Sequence, residues 1–172
     1  MKKILFSVVL VAFLFGSYSS FAQSKGKVGH IDSNSLLMLM PERATATKAI
    51  EEHAKQLQEQ LQTMSMEFEQ KYADYTEKQA TMSDLIKKNK EQELADLQKR
   101  IQDFQTTAQQ DLQNKELELM QPIIDKAKKA IEDVAKEKGY DYVFDTSVGA
   151  LVYWPEDTDN LLPLVKKKLG VE

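Results

Sequence analysis

The chain has no cysteine anywhere in its 172 residues. That absence removes disulfide frameworks, thiol redox motifs and thiolate-ligated metal together. It also excludes a lipid-anchored cysteine at an N-terminal cleavage site. Histidine is nearly absent: His30 and His53 are the two, with no His-x-x-x-His or Glu-paired zinc spacing between them. There is no glycine-rich phosphate loop and no nucleophile-elbow pattern around Ser33, Ser35 or Ser147. Asp157-Thr158-Asp159-Asn160 opens like a calcium loop but lacks the glycine at position six and the glutamate at position twelve. It reads as a helix cap. No enzymatic constellation remains, and the sequence predicts neither a cofactor nor a metal.

Glycine and proline are scarce, and none occurs in the 80 residues between Pro41 and Pro122. With no breaker and a high content of Glu, Gln, Lys, Leu and Ala, this run predicts very long helix. A single straight helix of that length would span ~120 Å. The chain is too short to surround such a rod.

What is present begins with an export signal. Lys2 and Lys3 precede an apolar stretch over 4–15, and Ser20-Phe21-Ala22 supplies the small residues of a cleavage site. The pattern predicts a cleaved secretory signal over 1–22, cut between Ala22 and Gln23. Its apolar core is shorter than the ~20 residues a membrane anchor needs, so the mature chain is expected to have no transmembrane segment. Cleavage leaves 150 residues with 21 Lys and Arg against 27 Asp and Glu, a net charge of −6. An acidic chain argues against nucleic acid as a partner.

Val28 to Ile31 lies in an alternating segment, so a strand is expected over about 27–32. Asp32 and Ser33 are candidate caps for a short helix through Leu36 and Leu37. Beyond Pro41, Ile50, Ala54, Leu57, Leu61, Met64 and Phe68 recur at alternating steps of four and three, and Tyr75 and Met82 follow at steps of seven. This is a heptad seam, weakened where Lys71 and Lys78 take seam positions. A second stripe runs through Leu94, Leu97, Ile101, Phe104, Ala108, Leu112, Leu119 and Ile123, with two consecutive four-residue steps at Phe104-Ala108-Leu112. Such a slip locally unwinds a supercoil. Two stripes separated by a polar zone predict an antiparallel helical hairpin over 42–122, its tip near 80–86. Pairing Phe68 with Leu97 and Leu61 with Phe104 centres it near Met82. Pairing Phe68 with Phe104 centres it near Ile86, and the seam alone does not separate the first from the second. Thr81 and Ser83 favour the first, since either can cap a helix starting at Asp84. Pro122 is expected to kink the returning helix, at a cost of roughly 3 kcal/mol.

After Gly139, the sequence predicts a strand over 140–145, a turn, and a second strand over 150–154, together a β-hairpin. A last helix is expected from Asn160 to Leu169, capped by Asp157, Thr158 or Asp159. The fold class is therefore α+β, mostly α. A small strand-containing body (23–41 and 123–172) carries a long coiled-coil arm. So small a core is marginal alone and favours oligomerisation. Met64, Phe68, Tyr75 and Met82 read either as plain seam, the reading favoured for Met64 and Phe68, or with off-seam Tyr72 as an adaptable apolar contact surface.

The segments Lys27-Val-Gly-His-Ile-Asp32, Leu36-Leu37, Ala130-Ile-Glu-Asp-Val-Ala135 and Tyr140-Asp-Tyr-Val-Phe-Asp145, flanking a Gln-rich hairpin, resemble the Skp/OmpH family. The resemblance covers nearly all of the mature chain. It implies a periplasmic, ATP-independent chaperone that binds unfolded outer-membrane β-barrel proteins, keeps them from aggregating and passes them toward the outer-membrane assembly machinery. It also implies a homotrimer joined through its body strands. Val28, Ile31, Leu36, Val143, Phe144, Leu151 and Val152 are the expected body and trimer core. Charge is where this chain departs from the best-known members, which are strongly basic. Here the sequence pI is about 5.4, and the arm over 42–121 has 11 basic and 16 acidic residues. Lipopolysaccharide binding and electrostatic capture of acidic clients therefore do not carry over. A structural periplasmic spacer or scaffold is the alternative reading.

Overall fold

A computed structural model describes residues 26–155 and 159–171. The signal sequence expected over 1–22 lies outside them. Strand β1 (Val28–Ile31) leads into helix α1 (Ser33–Leu39), then the long helix α2 (Pro41–Lys78). A short 3₁₀ turn (Gln79–Thr81) reverses the chain into α3 (Asp84–Lys138), followed by β2 (Tyr142–Asp145), β3 (Asp159–Asn160) and α4 (Leu162–Leu169).

Local chemistry sets each boundary. Asp32 caps α1, its side chain accepting from the Ser35 amide at 2.9 Å. Met40 adopts an extended conformation, and Pro41 opens α2 in the first turn, where a missing N–H costs nothing. Ser83 caps α3. Gly139 ends it with φ +69°, a left-handed conformation that glycine alone adopts freely. Between these caps α3 runs unbroken for 55 residues, straight through Pro122. At 1.5 Å per residue it is about 82 Å long.

α2 and the first part of α3 form the arm. Ion pairs and hydrogen bonds fix its register: His53 to Asp111, Lys71 to Glu93, Tyr75 to Glu91 and Glu42 to Lys126 all centre the hairpin on residues 82–84. This is the register in which Phe68 lies opposite Leu97 and Leu61 opposite Phe104. Met64 and Leu97 are the buried residues of the arm's outer half.

The body closes around both ends of the chain. The sheet has the order β2-β1-β3 and is wholly parallel. A parallel pair needs a long crossover, and between β1 and β2 that crossover is the entire arm. Gly29 pairs with Val143 and Ile31 with Asp145, so these positions face one side of the sheet. There Ile31 joins Leu36, Met40, Ile123, Ala127, Ala130, Val134, Leu161 and Val165 in the buried core, with Val143 packed against it. Ile123, immediately after Pro122, is where α3 leaves the arm and enters that core.

Two expectations about the C-terminal region are corrected. Residues 150–154 form no strand, so no β-hairpin follows β2. Instead this segment crosses the other face of the sheet, where the Trp154 ring lies 5.8 Å from that of His30. The third strand is the polar pair Asp159–Asn160, placed beside β1 by the Leu161 amide donating to the His30 carbonyl at 2.9 Å. The last helix accordingly starts at Leu162, not Asn160, and the Asn160 side chain accepts from the Leu162 amide at 2.9 Å.

Candidate functional site

Two surfaces stand out: the outer face of the body sheet, which the 150–154 segment covers only in part, and the seam of the arm. On the sheet, Val28 pairs with Tyr142 and His30 with Phe144, and these side chains point away from the core. Tyr142 is 66 % exposed and Phe144 44 %. Val148, Tyr153 and Val152 continue the patch, Val152 being 98 % exposed. Large apolar side chains concentrated in this way mark an interaction surface. Of the residues expected in the body and trimer core, Ile31 and Leu36 are buried within the single chain. Val143 and Leu151 are half-buried, whereas Val28, Phe144 and Val152 are exposed.

The far side of β2 is stitched to α1. The Asp145 carboxylate accepts from the Ser33 amide and hydroxyl and from the Ser147 amide and hydroxyl, at 2.5–3.2 Å. Burial pushes this carboxyl up, but the four hydrogen bonds outweigh it and hold it below its ordinary value. The arrangement anchors the strand end to the helix start. The two serines are bonded to a carboxylate and to each other, with no histidine among those contacts, so they present no activated nucleophile.

On the arm, Met64 is buried in the seam, and Phe68, Tyr75 and Met82 are half-buried. Tyr72 is 55 % exposed and stacks on Phe68 with ring centroids 6.1 Å apart. The Tyr75 hydroxyl donates to Glu91 at 2.6 Å. Thus Phe68 and Tyr72 form a small aromatic platform, while Met64 serves the helix pair itself. Lys71 resolves the apparent flaw in the seam. It donates to Glu93, to which Lys90 also donates at 2.9 Å. Hydrogen bonds from Lys71 and then Lys90 hold the Glu93 carboxyl down at about 2.

The sequence reading did not single out a groove nearer the body, about 370 Å³ in volume, where Ala54 and Ala108 leave the seam underfilled. The signal for it was the pair of four-residue steps through Phe104, Ala108 and Leu112. Among the described residues no cluster of His, Asp or Glu is arranged to hold a metal, and no helix is long and apolar enough to cross a membrane.

A long hairpin returning to a small mixed body is a whole-chain architecture, and the comparisons match it over nearly the whole chain. The family model described as Outer membrane protein (OmpH-like) matches residues 27–169. The Chaperone protein Skp of Pectobacterium atrosepticum is 28% identical over 154 residues, covering 86% of this chain and 90% of its own. The chain belongs to the Skp/OmpH family.

Proposed function

We propose that this protein is an ATP-independent periplasmic holdase. It binds unfolded outer-membrane β-barrel proteins, keeps them from aggregating and releases them toward the assembly machinery. The reading includes export by the cleaved signal over 1–22 and assembly as a homotrimer through the outer face of the body sheet. It assigns no enzymatic step and no cofactor.

The observation that carries it is the pairing of a long, surface-rich arm with a body whose outer sheet face, only partly covered by residues 150–154, still exposes Tyr142, Phe144 and Val152. A spacer needs the rod alone. It has no use for a sheet that brings the rod's two roots together. Family membership and the similarity to a protein named as a chaperone support the same reading. Physically, a holdase without fuel must bind by many weak contacts, so that release stays possible. Occupying the unfolded state opposes aggregation by mass action. On the arm, exposed Tyr72 and the half-buried Phe68 stacked on it are the aromatic candidates for such contacts, with Tyr75 and Met82 toward the tip.

The test uses the mature chain, residues 23–172. Its mass is measured, and a urea-denatured β-barrel protein is then diluted into it while light scattering is followed. A trimer that suppresses scattering at stoichiometric concentration is expected. A trimer that leaves aggregation unchanged would sink the holdase reading and favour a scaffold.

A further inference from the structure

The arm carries 27 charged residues among the 80 between its prolines. They are unevenly placed around its two grooves. The outer groove, about 400 Å³, is walled by Glu67, Glu93, Asp96 and Arg100. The inner groove, about 370 Å³, has no charged residue in its wall. Its floor is Ala54, Leu57, Ala108 and Leu112, and its polar rim is Gln58, Gln105 and Gln109.

The cause is visible in the pairing. The register sets Ala108 opposite Leu57 and Ala54 opposite Leu112, so a small residue meets a large one at successive layers. A filled seam would place two large side chains there. The missing volume opens a trough on the arm's surface, roughly 20 Å from Pro41 by helix rise. Nearby charges are engaged elsewhere: Asp111 binds His53 at 2.6 Å, Lys55 lies 3.7 Å from Glu59, and Lys99 bonds to Asp103 at 2.6 Å.

We infer that this inner groove is a binding site for uncharged, apolar side chains of an extended polypeptide, and that it discriminates against charged segments. The inference rests on the holdase reading and names where on the arm a client is gripped. Charge matching selects the occupant. A carboxylate or ammonium entering here would lose water and find no counter-charge in the wall. An apolar side chain loses only unfavourable hydration. Each glutamine offers both a carbonyl acceptor and an amide donor, so the rim can bond the peptide groups flanking that side chain whatever the sequence. The outer groove, with both signs of charge, lacks this selectivity.

The experiment compares the mature wild-type chain with Gln105→Glu/Gln109→Glu, which puts charge on the rim without changing its size. Ala108→Leu is made alongside to fill the floor, and Gln113→Glu serves as an exposed control outside the groove. Affinity for a fluorescently labelled, urea-denatured β-barrel polypeptide is measured after dilution, with oligomer mass and helical signal recorded for each variant. About a tenfold loss of affinity is expected in both groove variants at unchanged mass, and none in the control. Wild-type affinity in both would overturn the inference while leaving the holdase reading standing. A changed mass would overturn it by making the groove a contact between copies. No binding by the wild type would overturn the holdase reading, and this inference with it.

Discussion

Leu161 occupies the space that a β-carbon on Gly29 would need: its Cδ1 atom lies 2.3 Å from that position, with the Asp159 carbonyl 3.1 Å away. The first strand and the last helix thus interlock at one missing methyl group. Gly29→Ala should force Leu161 off its site or part β1 from β3. Overpacking of this kind costs about 1–3 kcal/mol. Thermal unfolding followed by circular dichroism should show a lowered midpoint. An unchanged midpoint would mean that the body yields at this point.

Leu97 is among the few buried side chains of the arm. Leu97→Ala should destabilise the hairpin by about 2–3 kcal/mol, near the low end for buried leucine because a two-helix seam can partly collapse. Hydrogen exchange is the sharper measurement. Amides on both helices near residues 64 and 97 should exchange faster, while those of Ile123–Val134 in the body stay protected.

Glu93 gives the arm an acid limit. Its carboxyl sits at about 2, against an ordinary value of 4.5, because Lys71 and Lys90 donate to it. A depressed folded-state pKa stabilises the fold fully above pH 4.5 and loses that effect as pH falls toward 2. Helical signal followed by acid titration should therefore fall less steeply across that window in Glu93→Gln than in the wild type. All three groups are solvent-accessible, so high salt should shrink the difference. Parallel titration curves would remove this ion triad from the account of arm stability.

Phe144 points to the outer side of the sheet, is 44 % exposed and lies outside the buried core of the single chain. In the proposed trimer, Phe144→Asp should lower the mass to one third and preserve the helical signal. A variant that remains trimeric would move the subunit contact away from this face.

Much of the arm was legible because helical hairpins are specified by local rules. The apolar period, the absence of breakers and the Ser83 cap predict both helices and the register that His53–Asp111 and Lys71–Glu93 display. The compensation at Lys71 was not legible, since its partner lies 22 residues away and depends on that register. The body was harder. Leu151-Val152-Tyr153-Trp154 has the composition of a strand, but composition cannot say what backbone it pairs with. The place beside β1 goes to Asp159–Asn160, two polar residues held by the chain entering α4. Candidate client contacts were least legible of all. Weak apolar contacts need no fixed set of side chains, so the sequence carries no motif for them beyond the underfilled steps at Ala108.

The parallel pairing of β1 with β2 also has a kinetic meaning. The Asp141 amide bonds to the Lys27 carbonyl across 114 residues of chain. Closing so large a loop from a disordered state is slow. The arm can form first, because each turn near Met82 brings the next layer of the hairpin into reach, as a zipper closes. Once it has zipped back to Pro41 and Pro122, the two strands are delivered to each other and the remaining closure is short. On this order the body folds last. A chain emerging N-terminus first holds Val28–Ile31 unpaired until Tyr142–Asp145 and Asp159–Asn160 have followed, so for that interval its own body strand stands unprotected beside an arm already formed.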